Sequence, residues 1–367
     1  MAQSGRLLSL DVMRGITIAG MIMVNNPGTW EYVYAPLRHA SWNGLTPTDL
    51  VFPFFMFIMG VSMFFSLRKY NFKLSKKSVT KVLKRTILIF LVGFGLNLFS
   101  HICYNGFTHF ENLRILGVMQ RLALAYGAGS LIGLAINHKY ILQTATVMLL
   151  FYWILLALTG STTLSEDNII AVVDRALFGN THMYHDYLAD GTRIAFDPEG
   201  LLSCIGSIAH VLLGFYAGKI IMDSKKNNEL IIRNLFIFGS FILFLGFLLS
   251  YGCPINKKLW SSTFVLTTCG FGSLFLALLI WIIDINGKKK WSLFFESFGI
   301  NPLYLYVQGD ILAVILDKSG IASYIYADIL APLFGNFGGS LAWAIFFVIL
   351  NWIPGYWLYK KRIYIKL

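Results

Sequence analysis

Four residues that could do or support chemistry, His39, Trp42, Asn43 and Asp49, share one short stretch, RHASWNGLTPTDLVFPFFMFIMG (38–60), which runs straight into an apolar segment. A neutral imidazole, with an ordinary pKa of about 6.5, is the side chain best suited to taking a proton from an attacking amine or hydroxyl near neutral pH. His39 is therefore a candidate general base, although a loop histidine by itself is more often a solvated surface residue. Thr46, Pro47 and Asp49 follow the pattern of a helix start: a threonine cap, proline at the first helical position and an acid three residues after the cap. Asp49 thus reads as a cap or as a partner in chemistry. Trp42 carries a similar ambiguity, because aromatic rings at the headgroup level anchor helices.

Further polar groups interrupt other apolar runs. MIMVNNPG places Asn25 and Asn26 before Pro27 and Gly28, and amides at membrane depth need partners. RILGVMQRLALAYG puts Gln120 and Arg121 inside an apolar helix, where a guanidinium marks a site facing the bundle interior. GINPLYLYVQGD carries Asn301, Gln308 and Asp310 along one helix, and Asn301-Pro302 suggests a break. Asp11 and Arg14, three apart, share a helix face near the start of the chain, either as an interfacial ion pair or with Arg14 as a phosphate ligand.

The elements that must position these groups follow from composition. Of 367 residues 56% are hydrophobic and only 13% charged, with a mean hydropathy of +0.65, which excludes an ordinary water-soluble globule. A bilayer core of about 30 Å needs roughly 20 apolar residues per helix. That template predicts ten spans, at 11–29, 48–67, 84–103, 115–136, 140–160, 201–222, 230–251, 259–284, 292–316 and 336–358, with 319–334 as an amphipathic interfacial helix. The expected fold class is all-α: a polytopic integral membrane protein forming a single transmembrane domain over 1–367, with an extracytoplasmic loop at 161–200.

The net charge of +12 is concentrated in clusters between spans, at Arg68 to Arg85, at Lys219, Lys225 and Lys226, at Lys288 to Lys290, and at Lys360, Lys361, Arg362 and Lys366. With ten alternating spans all four fall on one side, the cytoplasm, and both termini go with them. The loop at 161–200, by contrast, carries Glu166, Asp167, Asp174, Asp186, Asp190, Asp197 and Glu199. Charge distributed in this way argues against nucleic acid as a partner and for the lipid bilayer. Cys103, Cys204, Cys253 and Cys269 are too dispersed for a metal site or a disulfide framework, leaving a Cys103–Cys253 bridge as an open alternative. No metal is expected. MAQSGRLLSLDVMRG, with Asp11 and Arg14 before the first apolar run and no small-residue cleavage site, reads as the start of a retained helix. No internal repeat is readable.

The polar groups of spans 1, 2, 4 and 9 fit transport, including flipping of a lipid-linked glycan, or transmembrane group transfer, and periodicity does not choose between them. Together, SLDVMRG (9–15), the first helix ending near Asn25, HASWNGLTPTDLVFPFFMFIMG (39–60), RILGVMQRLA (114–123), DPEGLLSCIGSIAHVLLG (197–214) and GINPLYLY (299–306) resemble the heparan-α-glucosaminide N-acetyltransferase family and its bacterial relatives. The resemblance implies an acyltransferase that moves acetyl from cytoplasmic acetyl-CoA to the amine of a terminal glucosamine or other amino sugar across the membrane, and a homodimer. It carries the family's histidine onto His39 and its first-helix asparagine onto Asn25. Animal members have a large luminal domain and an extra leading helix without counterpart here, so lysosomal targeting and proteolytic maturation are not expected.

On this reading the catalytic set is His39, Asn25 and Asp49, with Asn25 hydrogen-bonding the oxyanion or acceptor. Asn43 and Asp49 orient His39 or bind sugar hydroxyls. Asp11, Arg14, Gln120, Arg121 and Asn301 contact acetyl-CoA, and Trp42, Asn43, Gln308 and Asp310 contact the acceptor. Trp153, Tyr184 and Tyr187 either cover the acceptor or anchor the helices. Direct transfer is favoured over an acetyl-histidine intermediate, and a hydroxyl acceptor is the O-acyl alternative.

Overall fold

The longest apolar runs all become helices, as they must where lipid offers the backbone no hydrogen bonds. The structure, a computed structural model, describes residues 7–225 and 227–365. Residues 1–6 and the cluster members Lys226 and Lys366 lie outside the described residues. Among the described residues nine helices are long and apolar enough to cross a membrane, or ten if one bent pair counts as a single span. The protein is an all-α, multi-pass integral membrane protein.

Its helices are α1 (Leu8–Asn25), α2 (Val51–Leu67), α3 (Lys76–Asn105), α4 (Val118–Ala135), α5 (Ile141–Leu158), α6 (Ile169–Phe178), α7 (Cys204–Asp223), α8 (Asn228–Leu249), α9 (Ser262–Leu279), α10 (Leu293–Ile300), α11 (Pro302–Lys318), α12 (Ile321–Tyr324) and α13 (Ala331–Lys360). The chain divides into two units. One comprises the described residues up to His39, Thr46–Phe55 and those from Leu276 onward; the other comprises Ala40–Leu45 and Met56–Phe275.

In the first unit α1 packs chiefly on α10. A Cβ on Gly15 would stand 1.7 Å from the Phe295 carbonyl oxygen, and one on Gly299 would stand 1.9 Å from that of Asp11. Only glycine allows this approach of two backbones. α1 ends at Asn25, four residues before the expected limit of 29, because Pro27 bars Asn26 from helical geometry (φ −132°, ψ 59°).

The ninth expected span is not one straight rod. Asn301 leaves helical geometry before Pro302, and α10 and α11 meet at 79°. The expected interfacial segment 319–334 forms α12, a wide turn over Ile325–Leu330 and the first turn of α13, and it ends at Gly335 (φ 72°, ψ 168°). Forty continuous helical residues from Ile321 would measure about 60 Å, twice the bilayer core, so only the part beyond Gly335 needs to cross.

In the second unit α3 packs on α4, and α7 packs on α4 and α5. The loop expected at 161–200 has structure of its own: α6 and an antiparallel hairpin of β1 (His185–Tyr187) and β2 (Arg193–Ala195), with His185 opposite Ala195. These elements close over a buried cluster of Tyr152, Leu156, Ile170, Ala171, Ile194, Phe196 and Leu259. All four cysteines are free thiols, so the Cys103–Cys253 bridge does not form.

Candidate functional site

In the first unit the helix-start chemistry of 46–49 positions the dyad. Pro47–Leu50 is a tight 3-10 turn with Thr46 as its cap. Asp49 Oδ2 accepts the Thr46 N–H at 3.1 Å and lies 2.9 Å from the Thr46 hydroxyl. Its other oxygen, Oδ1, lies 2.6 Å from His39 Nδ1. The two readings of Asp49 are therefore both met by one side chain, one oxygen for each. Asp49 is completely buried, whereas the His39 side chain is 40% exposed. A carboxylate only accepts, so Nδ1 carries the proton and the basic lone pair belongs to Nε2.

The loop holding His39 is rigidly made. Arg38 donates through Nε to the Val33 carbonyl and through Nη2 to the Glu31 carbonyl, both at 2.8 Å, and Thr48 Oγ1 donates to the Pro36 carbonyl at 3.2 Å. The Arg38 guanidinium thus braces the loop. Asn25, the last residue of α1, is exposed, while Asn26 Nδ2 donates back to the Ile22 carbonyl at 2.8 Å and closes the helix end.

At the other end of α1, Asp11 and Arg14 form the expected pair at 2.9 Å, and Arg14 Nη1 also donates to the Gly299 carbonyl at 3.2 Å. Asn301 is buried with both amide atoms in use: Nδ2 donates to the Ile363 carbonyl at 2.9 Å and Oδ1 accepts from the Ile365 N–H at 2.8 Å. The C-terminal segment thereby seals the α10–α11 break. Gln308 Nε2 donates to Asn351 Oδ1 at 3.1 Å, and Asp310 accepts from the Tyr306 hydroxyl. Gln308 also lines a cavity of about 510 Å³ between α11 and α13.

In the second unit Arg121 and Gln120 are buried on α4. Arg121 Nη2 donates to the Ser203 hydroxyl, and the guanidinium lies over the Trp260 ring, 4.9 Å from its centroid. Its Nε and Nη1 have no acceptor among the described residues. Trp42 packs edge-on against Phe196 at 5.6 Å and donates Nε1–H to the Thr162 carbonyl at 2.9 Å. Asn43 is exposed, and its Oδ1 accepts from buried Asn256 at 3.1 Å.

Several groups here escaped sequence reasoning. Arg114 grips Asp197 with two bonds, Nε to Oδ2 at 3.0 Å and Nη2 to Oδ1 at 2.5 Å, and reaches Glu199 Oε2 at 2.7 Å. Burial opposes charge on both partners but is outweighed by their attraction: Asp197 is held below the usual carboxylate range and Arg114 above the usual guanidinium range. Asp174 Oδ1 accepts the N–H groups of Leu201 and Leu202, at 2.9 and 3.3 Å. Burial nevertheless pushes its carboxyl up to about 6. Lys258 pairs with Asp186 at 2.5 Å, 6.0 Å from the Trp42 ring centroid. The signal for the Arg114 clamp lies in the two blocks RILGVMQRLA and DPEGLLSC, which nothing local in the sequence marks as partners.

A family model described as heparan-alpha-glucosaminide N-acetyltransferase, catalytic, matches residues 6–251. The chain is 29% identical over 357 residues to the human heparan-alpha-glucosaminide N-acetyltransferase, covering 82% of this chain and 52% of that protein. Against the mouse protein of the same name it is 29% identical over 366 residues, covering 85% and 54% respectively. The chain therefore spans about half the length of these curated relatives.

Proposed function

Because the chain belongs to the heparan-alpha-glucosaminide N-acetyltransferase family, we propose that it is an acetyl-CoA-dependent acyltransferase of the membrane, with His39 as general base and a terminal amino sugar as acceptor. The observation that carries the reading is the dyad: a half-exposed imidazole held at 2.6 Å by a fully buried carboxylate. Such a carboxylate fixes the tautomer and stabilises the imidazolium that forms during proton transfer.

Acetyl-CoA supplies an already activated thioester. His39 Nε2 takes a proton from the acceptor amine as the nitrogen attacks the thioester carbonyl. The tetrahedral oxyanion collapses, the C–S bond breaks and the proton passes to the departing thiolate. Asn25, at the helix end nearest the dyad in sequence, is proposed to hydrogen-bond the oxyanion or the acceptor. Arg14, beside Asp11, is assigned to the nucleotide phosphates, and Gln120 and Arg121 to the pantetheine amides. Asn301 acts in donor binding by fixing the α10–α11 bend.

The distribution of the basic clusters supports a reading in which the Asp11–Arg14 pair and the incoming coenzyme face the cytoplasm across a bacterial inner membrane, with His39 on the opposite side. Trp42 and Asn43, three and four residues after His39 in the chain, are assigned to the acceptor, as are Gln308 and Asp310 of the first unit. Purified protein given labelled acetyl-CoA and glucosamine should yield N-acetylglucosamine by mass spectrometry. His39→Ala should lower turnover by roughly 10²- to 10⁴-fold. An O-acetyl product would redirect the acceptor assignment, and substrate flux without consumption of acetyl-CoA would replace the enzyme with a transporter.

A further inference from the structure

The cavity between α11 and α13 shares Gln308 with the proposed acceptor site, but its apolar walls have no part in that chemistry. Its walls include Leu312 and Ile315 on α11 and Leu350, Ile353 and Pro354 on α13, all within membrane-spanning helices and almost entirely apolar. Two groups break the hydrocarbon character. Pro354 has no N–H, so the carbonyl of Leu350, four residues earlier, loses its helical donor. At the same level Gln308 gives its Nε2 to Asn351, whose Oδ1 and carbonyl oxygen are both acceptors.

That pairing fixes which way the Gln308 amide points, because the opposite orientation would set oxygen against oxygen. Oε1 is left without a partner among the described residues. A plain lipid tail filling this groove would leave both acceptors unsatisfied, which is costly for buried polar groups. A chain carrying one O–H or N–H donor would satisfy one of them while burying its methylenes.

The groove also belongs to the same unit as the dyad. α11 climbs from Pro302, beside the Asp11 end of α1, past Gly309, which faces Ile22, to Ile315. The loop leading to His39 lies on the upper part of α13, where Gly28 N–H donates to the Ser340 carbonyl at 3.2 Å and Tyr34 packs on Phe337 at 5.4 Å. The groove thus rises toward the end of the unit that carries His39.

Resting on the acyltransferase reading above, we infer that the acceptor is an amphiphile: an amino sugar carried on a hydrocarbon anchor that bears a hydroxyl or amide donor, with the anchor lying in the α11–α13 groove. The sugar amine is presented at the dyad and the anchor is held by apolar burial and by the acceptors beside Asn351. Apolar burial of the anchor thus favours a lipid-borne acceptor over the free sugar.

The test compares three acceptors with the full chain in phosphatidylcholine nanodiscs: glucosamine, dodecyl glucosaminide and a dodecyl glucosaminide with a mid-chain hydroxyl. The expected kcat/KM rises in that order, by at least about tenfold from the first to the second. Ile315→Trp, at the groove mouth where Ile315 is 49% exposed, should collapse the preference ratio toward one, and Ile353→Trp, likewise exposed, should do the same from the other wall. Equal kcat/KM for glucosamine and dodecyl glucosaminide would overturn the inference and leave the acyltransferase reading standing. So would a preference ratio that survives both substitutions, since bulk lipid would then be the occupant. Equal rates for the plain and hydroxylated chains would remove the assigned donor, and transfer to none of the three would sink both readings.

Discussion

Two buried carboxylates, Asp49 and Asp197, make opposite use of similar surroundings. Asp197 is gripped by Arg114 and receives the N–H groups of Tyr184 and Glu199, at 3.0 and 2.9 Å, so its charge is matched by fixed donors. Asp49 also divides its oxygens between a backbone cap and a side chain, but that side chain is a half-exposed imidazole. The first arrangement ends in itself and ties Asp197 and Glu199 to the segment that leads into α4. The second passes basicity outward to a ring nitrogen that can exchange a proton. Burial of an acid therefore signals chemistry only when its partner can change protonation near neutral pH.

The largest effect that would sharpen this contrast is on folding. Arg114→Ala leaves Asp197 and Glu199 without their cation, and thermal unfolding should show a loss of about 3–5 kcal/mol. An unchanged melting temperature would break the distinction between clamp and dyad. Asp49→Asn should act the other way round. An amide oxygen can still accept the Thr46 N–H, so stability should hold, while loss of tautomer control should lower kcat roughly a hundredfold, about 2.7 kcal/mol. Equal losses of folding and turnover would return Asp49 to a purely structural role.

Asp174 offers a smaller, pH-dependent effect. Its carboxyl is raised to about 6 by burial, against about 3.9 in an unfolded chain. The native state therefore binds more protons between these values. The contribution is fully present below about pH 4, is lost as pH rises toward 6, and amounts to on the order of 2–3 kcal/mol. Melting curves from pH 4 to 7 should lose that slope in Asp174→Asn, which should be the more stable protein above pH 6.

Much of this architecture was legible because apolar length and helix punctuation are local properties. Thr46, Pro47 and Asp49 announced the turn they form, and Asn301-Pro302 announced a break, although its angle of 79° depends on packing. The end of α1 was placed four residues late because hydropathy gives Pro27 no special weight. The hairpin and α6 within 161–200 were hidden among charged residues, since their folding depends on the distant Tyr152 and Leu259. His39 stood out by residue type. Its contact with Asp49 at 2.6 Å could be suspected from the sequence but not measured there. The Arg114 clamp joins positions 83 and 85 residues apart, a pairing that no local pattern contains.

The most direct test of the central claim uses oriented proteoliposomes with labelled acetyl-CoA on the basic-cluster side and glucosamine on the other. Acetylated sugar should accumulate on the glucosamine side with the native chain and fall by roughly 10²- to 10⁴-fold with His39→Ala. Product formed at the native rate by His39→Ala, or formed only when donor and acceptor share one compartment, would contradict a base at position 39 facing away from the coenzyme.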